Sequence, residues 1–571
     1  LLRMYPLTKR NVAAKQQDVG STGTLEIMKQ VMNTSANPCL DFFNYACGNW
    51  EKNFGNMTTF DLIGETVLKV GYQRLNKQVV TPLQLSVTDR VVAAIQTCFD
   101  VWTRQLDNVK AVTKFLNDSG VLLPPPAIET TLNPLQLMMK LNLKLGIPAV
   151  FMLRPLIDLR TNDRLILTFM EDVVFRDDLL QTKFCLIEPK LIWVVDQFMK
   201  EYRDNPVPFA RWMTVLVHYY FASASSYPLQ NTFRIFIPKC LNYMEYLAPH
   251  AVNALLTEYI VSTDHVETTK HMFRSMKQVF PKFLNWTKSD QRNRTLKSIK
   301  NLTAVFGVPR RFYSHAVMNQ EYRFLPIFRG PFVENLLKAF QDKAETELFN
   351  YAYTKVPQAM SQELSHILYP SQVPNAHYYR NIHSIFIPSV MMSPLTVVDE
   401  SLAASYGLAG SVVAHEIGHS FDPIAAGQSS NLMPSRSPRV PRWEGYQKRL
   451  DCIVRLYDAL GVRSGTRNYS MSTRTENFAD ISGLEMVQAA LATDACVGLD
   501  ANSPIAGLTN KQLFYVARCF LWCTSRGRAT DTRPSNPHIA NLHRCNTVLG
   551  QSSDFRNTFK CPSATSCPIL T

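Results

Sequence analysis

A mainly helical fold is what this sequence predicts, and three features predict it. Residues 85–120 and 240–345 carry apolar side chains at three- and four-residue spacing with few glycines, the period of an amphipathic helix. The same period returns at Leu402, Tyr406, Ala409, Val413 and Ile417, which share one face of a further helix. Between these stretches Ile385-Phe386-Ile387, bounded by Pro374 and Pro388, reads as a short strand.

The remaining elements follow in chain order. Residues 1–30 read as a frayed polar arm, and Pro124-Pro125-Pro126 as a break. There is no internal repeat or low-complexity tract. With 571 residues, 46% of them hydrophobic and 19% charged, the composition is that of an ordinary globular protein and argues against disorder or a fibrous repeat. At about 100–200 residues per domain the length suits more than one lobe.

The formal net charge is +14, but basic residues such as Lys297, Lys300, Arg310, Arg311, Arg436, Arg439 and Arg442 are scattered. No nucleic-acid signature accompanies them, so nucleic acid is not expected as a partner, and the charge implies at most weak polyanion binding. No run of about 18 apolar residues free of charge occurs, so no transmembrane segment is expected in this chain. It opens Leu1-Leu2-Arg3-Met4. The expectation is an upstream segment, either a signal peptide or a membrane anchor.

Two features favour the secretory route. The twelve cysteines are even in number and several flank the two ends of the sequence, which suits bridges formed in an oxidising compartment. Seven N-x-S/T sequons begin at Asn33, Asn56, Asn117, Asn285, Asn293, Asn301 and Asn468. Together they point to an extracellular glycoprotein, secreted or the ectodomain of a membrane-anchored protein.

The chemistry is carried by His415-Glu416-Ile417-Gly418-His419, an H-E-x-x-H. Residues four apart in a helix lie one turn above each other, so both imidazoles can reach one metal while Glu416 stands beside its open position. Zinc with three protein ligands keeps a site for water, whose pKa falls to about 7, and a neighbouring carboxylate can take the proton. A chance match on a surface helix is the plain alternative. Against it stands Glu476-Asn477-Phe478-Ala479-Asp480, where two carboxylates again lie four apart. One can bind metal while the other orients a ligating histidine. Asp422 is a second candidate orienter; alone it reads as a helix-end carboxylate facing water.

At these residues the chain resembles the neprilysin family of zinc metallopeptidases. Cys39-Leu40-Asp41-Phe42-Phe43-Asn44-Tyr45-Ala46-Cys47-Gly48-Asn49-Trp50, Asn375-Ala376 followed by tyrosines, H-E-I-G-H-S-F-D at 415–422 and E-N-F-A-D at 476–480 occur in the family's order. The tail from Phe514 through Trp522-Cys523 to Cys561 and Cys567 continues the likeness, which runs from about residue 35 to the end.

The resemblance implies that His415, His419 and Glu476 bind one zinc ion, that Glu416 is the general base, and that Asp422 and Asp480 orient ligands. It implies that Asn375 and the Ala376 backbone hold the substrate main chain as an added strand. It makes His538 the donor to the oxyanion and Arg544 the holder of a substrate carbonyl. It puts Val412, Leu521 and Trp522 around the pocket for the residue after the scissile bond. It also implies the bridges Cys39–Cys561, Cys47–Cys523, Cys98–Cys240 and Cys452–Cys567, leaving Cys185, Cys496, Cys519 and Cys545 unassigned.

By the same likeness the fold is a two-lobed zincin. A thermolysin-like catalytic lobe comprises residues 31–80 and 340–571, an inserted helical lobe residues 81–339, and the two enclose a central cavity. Oligopeptides enter such a cavity and folded proteins do not, so the implied activity is a zinc endopeptidase cleaving before apolar residues. The alternative is an inactive relative that binds peptides or a receptor. Several positions depart from the family pattern. Gly418 and Ser420 stand where Thr and Gly are usual, Ser411 replaces an apolar pocket residue, and the stretch around Asn56 has no arginine at the position where some members read a substrate's C-terminal carboxylate. Asn431-Leu432-Met433-Pro434 replaces a Trp-Trp stretch.

Overall fold

Helices make up most of the described residues, in keeping with the apolar period. The computed structural model describes residues 23–80, 85–120, 134–147, 153–157, 164–168, 183–186, 196–197, 199–202, 204–229, 233–353, 373–423, 445–461, 469–532, 537–564 and 566–571. Pro124-Pro125-Pro126 and Asn431–Pro434 lie outside them. Helix Val87–Thr103 shows why the sequence folds as it does. Ser86 and Asp89 form a capping box at its start, and Val91, Val92, Ile95, Cys98 and Phe99 then bury one stripe. Further helices span Phe233–Leu247, Pro249–Ile260, Thr263–Val279, Ser289–Asn301 and Phe332–Tyr353.

Two expectations are corrected. The arm is shorter than 1–30: Thr24–Val31 is a helix whose Ile27, Met28 and Val31 are buried, with the Thr24 hydroxyl donating to Pro394 O at 3.0 Å. The stretch 81–339 is not wholly helical. Leu153–Ile157, Arg164–Thr168 and Lys183–Leu186 form one three-stranded sheet, and Thr303–Phe306 belongs to another. Short apolar runs rich in β-branched and aromatic residues cannot be told from helix by period alone. Helices on either side of residue 339 pack as follows. Thr263–Val279 packs on Arg474–Thr493, and Ser289–Asn301 on Ser411–Phe421, whereas Phe332–Tyr353 returns to Val87–Thr103 and Val109–Asp118.

The sheet beside these helices is centred on the expected strand, Ser384–Ile387, all of it buried. Thr303–Phe306 pairs with it in parallel, and His377–Tyr379 pairs antiparallel as the edge strand, Tyr378 opposite Ile385.

The helix carrying the H-E-x-x-H motif begins at Leu402–Ser405, widens through a π turn at Tyr406–Gly410 and continues as Ser411–Phe421. It lies against Arg474–Thr493 at backbone contact. A Cβ on Gly418 would stand 2.9 Å from Ala479 Cα, and one on Gly483 would stand 3.0 Å from His415 N. Glycine at 418, a departure from the family pattern, is thus required by the close approach.

The four bridges implied by the resemblance are present, joining Cys39 to Cys561, Cys47 to Cys523, Cys98 to Cys240 and Cys452 to Cys567. A fifth joins Cys519 to Cys545. Cys496 is free and exposed, and the Cys185 side chain lies outside the described residues. The first two bridges span sequence separations of 522 and 476 residues, tying the start of the chain to its tail. Closing loops of that length removes much entropy from the unfolded chain. Among the described residues no helix is long and apolar enough to cross a membrane.

Replacing Gly418 by valine should force the two helices apart. A loss of about 1–3 kcal/mol of stability is expected, as for overpacked cores, measured as a lowered urea midpoint beside the parent.

Candidate metal centre

The contact between the two helices brings four side chains together, two from each helix. His415 and His419 project from one helix with their Nε2 atoms 3.0 Å apart. Glu476, in the first turn of the other, brings Oε2 to 3.2 Å from His415 Nε2 and 3.3 Å from His419 Nε2. His538 reaches the same oxygen at 3.0 Å through its own Nε2. None of these three contacts has hydrogen-bond geometry at Oε2. Donor atoms sharing a tetrahedral zinc at about 2.0–2.1 Å lie roughly 3.3 Å from one another, so the spacing of His415, His419 and Glu476 is that of a zinc shell. The donor set, two imidazoles and a carboxylate, fits that ion.

Behind the ligands the charges are paired. Asp480 Oδ1 accepts from His415 Nδ1 at 2.8 Å, which puts the ring proton on Nδ1 and turns the Nε2 lone pair inward. Arg544 grips the same carboxylate with two donors, Nε and Nη2, each at 2.7 Å, and lies 3.8 Å over the Trp522 ring. Arg518 Nη2 donates to the Asp480 carbonyl at 3.2 Å. Asp422 is buried and accepts from the Tyr446 hydroxyl at 2.6 Å.

Burial works against charge on His415, but Asp480 and Glu476 outweigh it and carry its pKa up to about 9. Burial would likewise raise Glu476 and Asp480. The imidazoles around Glu476, and Arg544 with His415 beside Asp480, instead hold both well below the usual carboxylate range. The cluster is built to hold positive charge at its centre. His538 goes the other way, lowered by burial and by Arg544, and so stays neutral near pH 7.

These groups line a cavity of about 700 Å³. Glu416, Asn375, Ala376, Val412, Leu521, Trp522, His538 and Arg544 all reach it, as do the three ligand residues and Asp480. Asp422 is not in its wall. Sequence reasoning missed Phe60, His377, Arg380 and Arg518, which also line it. Phe60 is held there because the Thr59 N–H donates to Cys523 O at 2.9 Å, setting its ring 5.6 Å from Trp522. The Asn375-Ala376 block pointed directly at His377, the next residue. The strand there is short, and just before it the Asn375 side-chain Oδ1 accepts from the Ala376 N–H at 3.0 Å.

Residues 375–567 match the sequence description of peptidase family M13. Over this segment, about a third of the chain, the sequence is similar to that family. The M13 segment includes all three ligand residues, Glu416 and His538. Membrane metallo-endopeptidase-like 1 of Mus musculus is 24% identical over 337 residues, 57% of this chain, and neprilysin-1 of Caenorhabditis elegans is 24% identical over 311 residues, 52% of it. The matched regions are 43% and 40% of those relatives' own length, so the likeness spans less than half of each. An inhibitor complex of the Mycobacterium tuberculosis zinc metalloprotease Zmp1 superposes with a TM-score of 0.64 over 94% of this chain and 97% of that one, at 15% identity. The overall fold is therefore that of the M13 zinc metalloproteases.

Of the sequon asparagines, Asn56, Asn117, Asn285, Asn293 and Asn301 are exposed and Asn33 is half-buried; Asn468 lies outside the described residues.

The metal helix is also held at its far end. Glu485 accepts from the backbone N–H groups of Ile569 at 2.6 Å and of Leu570 and Thr571 at 3.0 Å each. Burial outweighs these donors and pushes its pKa up to about 6.

Two outcomes follow from this pairing. Asp480→Asn weakens the orientation of His415 and leaves Arg544 without its counter-charge. Zinc affinity should fall about 10–100-fold, read by competition with a chromophoric chelator. Glu485, raised when folded, binds its proton more tightly in the native state, so it makes stability fall as pH rises from about 4.5 to about 6. Thermal melts at the two ends of that window should show a smaller decline in Glu485→Gln than in the parent.

Proposed function

We propose that the protein is a zinc-dependent endopeptidase that cuts oligopeptides on the amino side of hydrophobic residues. One observation carries the reading: two imidazoles and a carboxylate converge at zinc spacing, with Glu416 beside them on the wall of a cavity of peptide-sized volume. Zinc held there would polarise the scissile carbonyl and lower the pKa of a water.

The chain's own residues would do the rest. His415, His419 and Glu476 hold the ion, and Asp480 keeps His415 in the right tautomer. Asn375 and the Ala376 backbone pair with the substrate main chain, and Val412, Leu521 and Trp522 receive the apolar side chain. Glu416 takes a proton from the attacking water and hands it to the leaving amine. His538, neutral and in the cavity wall, donates to the carbonyl oxygen as negative charge builds there. Arg544, which lines the cavity with two of its donors on Asp480, would hold a substrate carbonyl with a remaining N–H.

An extracellular setting is part of the reading. Five disulfides and surface sequon asparagines support it, as they would for a secreted glycoprotein or an ectodomain. The catalytic lobe we propose is made of residues near 24–60, the segment 263–306 and the chain from 373 onward. The segment 263–306 packs on the two metal helices, and the segment 24–54 on the tail helices Asn510–Phe520 and Asn541–Gly550.

Incubating the zinc-loaded protein with a mixed oligopeptide library should release products whose new N-termini are apolar, identified by mass spectrometry. Glu416→Gln should lower the rate at least about 100-fold, and a zinc chelator should do the same. A folded, zinc-loaded parent that cuts nothing would sink the assignment and favour a binding protein.

A further inference from the structure

We propose that His377, with Arg380 beside it, reads an acidic side chain on the amino side of the scissile bond. The preferred substrates are then peptides with an aspartate or glutamate before the cleavage point and an apolar residue after it. This rests on the endopeptidase reading and on the placing of Val412, Leu521 and Trp522 on the leaving side.

His377 opens the edge strand of the sheet beside the metal helix. Side chains alternate along a strand. Tyr378 points into the core, its hydroxyl 2.8 Å from His383 Nδ1, so His377 takes the opposite face. That face is the cavity, and the imidazole is exposed within it. Its ring stands edge-on to Tyr379 at 4.7 Å, which limits how it can turn. Burial lowers its pKa, while Glu416 and Glu476 pull it up and His419 pushes it down. The imidazole is therefore within electrostatic reach of the metal centre and presents an N–H donor near neutral pH.

The cavity has two unlike walls. Phe60, Val412, Leu521 and Trp522 offer only an apolar surface and an indole N–H. The segment 374–380 holds no carboxylate at all and contributes His377 and Arg380. Burial lowers the Arg380 pKa while Tyr378 and the Asp422 carboxylate raise it, and the guanidinium keeps its charge. A peptide laid along the edge strand sets each side chain against its cross-strand neighbour on the same face, and opposite charge is favoured there. A carboxylate facing His377 gains a charge-assisted hydrogen bond and a nearby guanidinium. The net charge of +14 draws acidic peptides toward the protein in the first place.

The test measures binding apart from cleavage. Zinc-loaded Glu416→Gln protein is titrated with two fluorescent peptides that share an apolar residue after the cleavage point and differ by Glu or Gln before it. The glutamate peptide should bind about tenfold tighter. Adding His377→Phe should bring the ratio near one, and His377→Gln, which keeps a donor, should restore part of it. Arg380→Met serves as an independent variant, expected to lower the ratio as well; thermal melts check that each variant is folded. Equal binding of the two peptides, binding of neither, or a ratio untouched by both His377→Phe and Arg380→Met would overturn the proposal. Cleavage by the parent is scored separately: peptidolysis without the binding ratio removes this inference alone, and the ratio without peptidolysis removes the endopeptidase reading.

Discussion

The backbone contact between Ser411–Phe421 and Arg474–Thr493 is the constraint on which the centre depends. Each helix carries its two working residues one turn apart, His415 with His419 and Glu476 with Asp480. Gly418 and Gly483 let the helices touch, and with Ala479 they fix which turn faces which. A slip of one turn, about 5.4 Å, would set Glu476 beyond both imidazoles and leave His415 without Asp480. Much of the surrounding structure braces that register. Gly407, just upstream, lies so close to Phe514 and Ala517 that the tail helix Asn510–Phe520 is pressed against the same element, and Arg518 from that helix ties to the Asp480 carbonyl.

Charge balance then decides what the register can hold. Glu476 and Asp480 are buried or nearly so, and a lone buried carboxylate is costly. Asp480 is balanced by the two-pronged Arg544, and His415 shares it. Glu476 has no such arginine; its Oε2 faces three imidazole nitrogens without a proper hydrogen bond. With Asp480 neutralised by Arg544, the nitrogens of His415 and His419 and the Glu476 carboxylate gather at one point and offer a divalent cation its donor set.

Much of this was legible in the sequence because it depends on local period. The helical stretches, the four-residue spacing of His415 and His419 and that of Glu476 and Asp480 are all properties of a single helix. What was not legible depends on partners far along the chain. Gly418 looked like a departure until Ala479 was seen against it. Thr303–Phe306 is too short for its period to speak, and becomes a strand because Ser384–Ile387 offers an edge. Thr24–Val31 lay next to a polar stretch that masked Ile27, Met28 and Val31. Arg544 was expected to meet substrate alone, and the Asp480 pairing that positions it joins segments separated by 64 residues.

The same reasoning separates the two sides of the cavity. The apolar side is assembled from three segments, with Phe60 brought in by the Thr59 contact to Cys523, so its shape follows from how the start of the chain is tied to its tail. The polar side comes from one short strand whose direction is set by pairing with a fully buried neighbour and by Tyr378 locked to His383. A side chain on such an edge cannot turn away without breaking the strand's alternation. Selection by His377 is thus a consequence of sheet register, as zinc binding is of helix register, and both registers set side chains into the cavity that Glu416 lines.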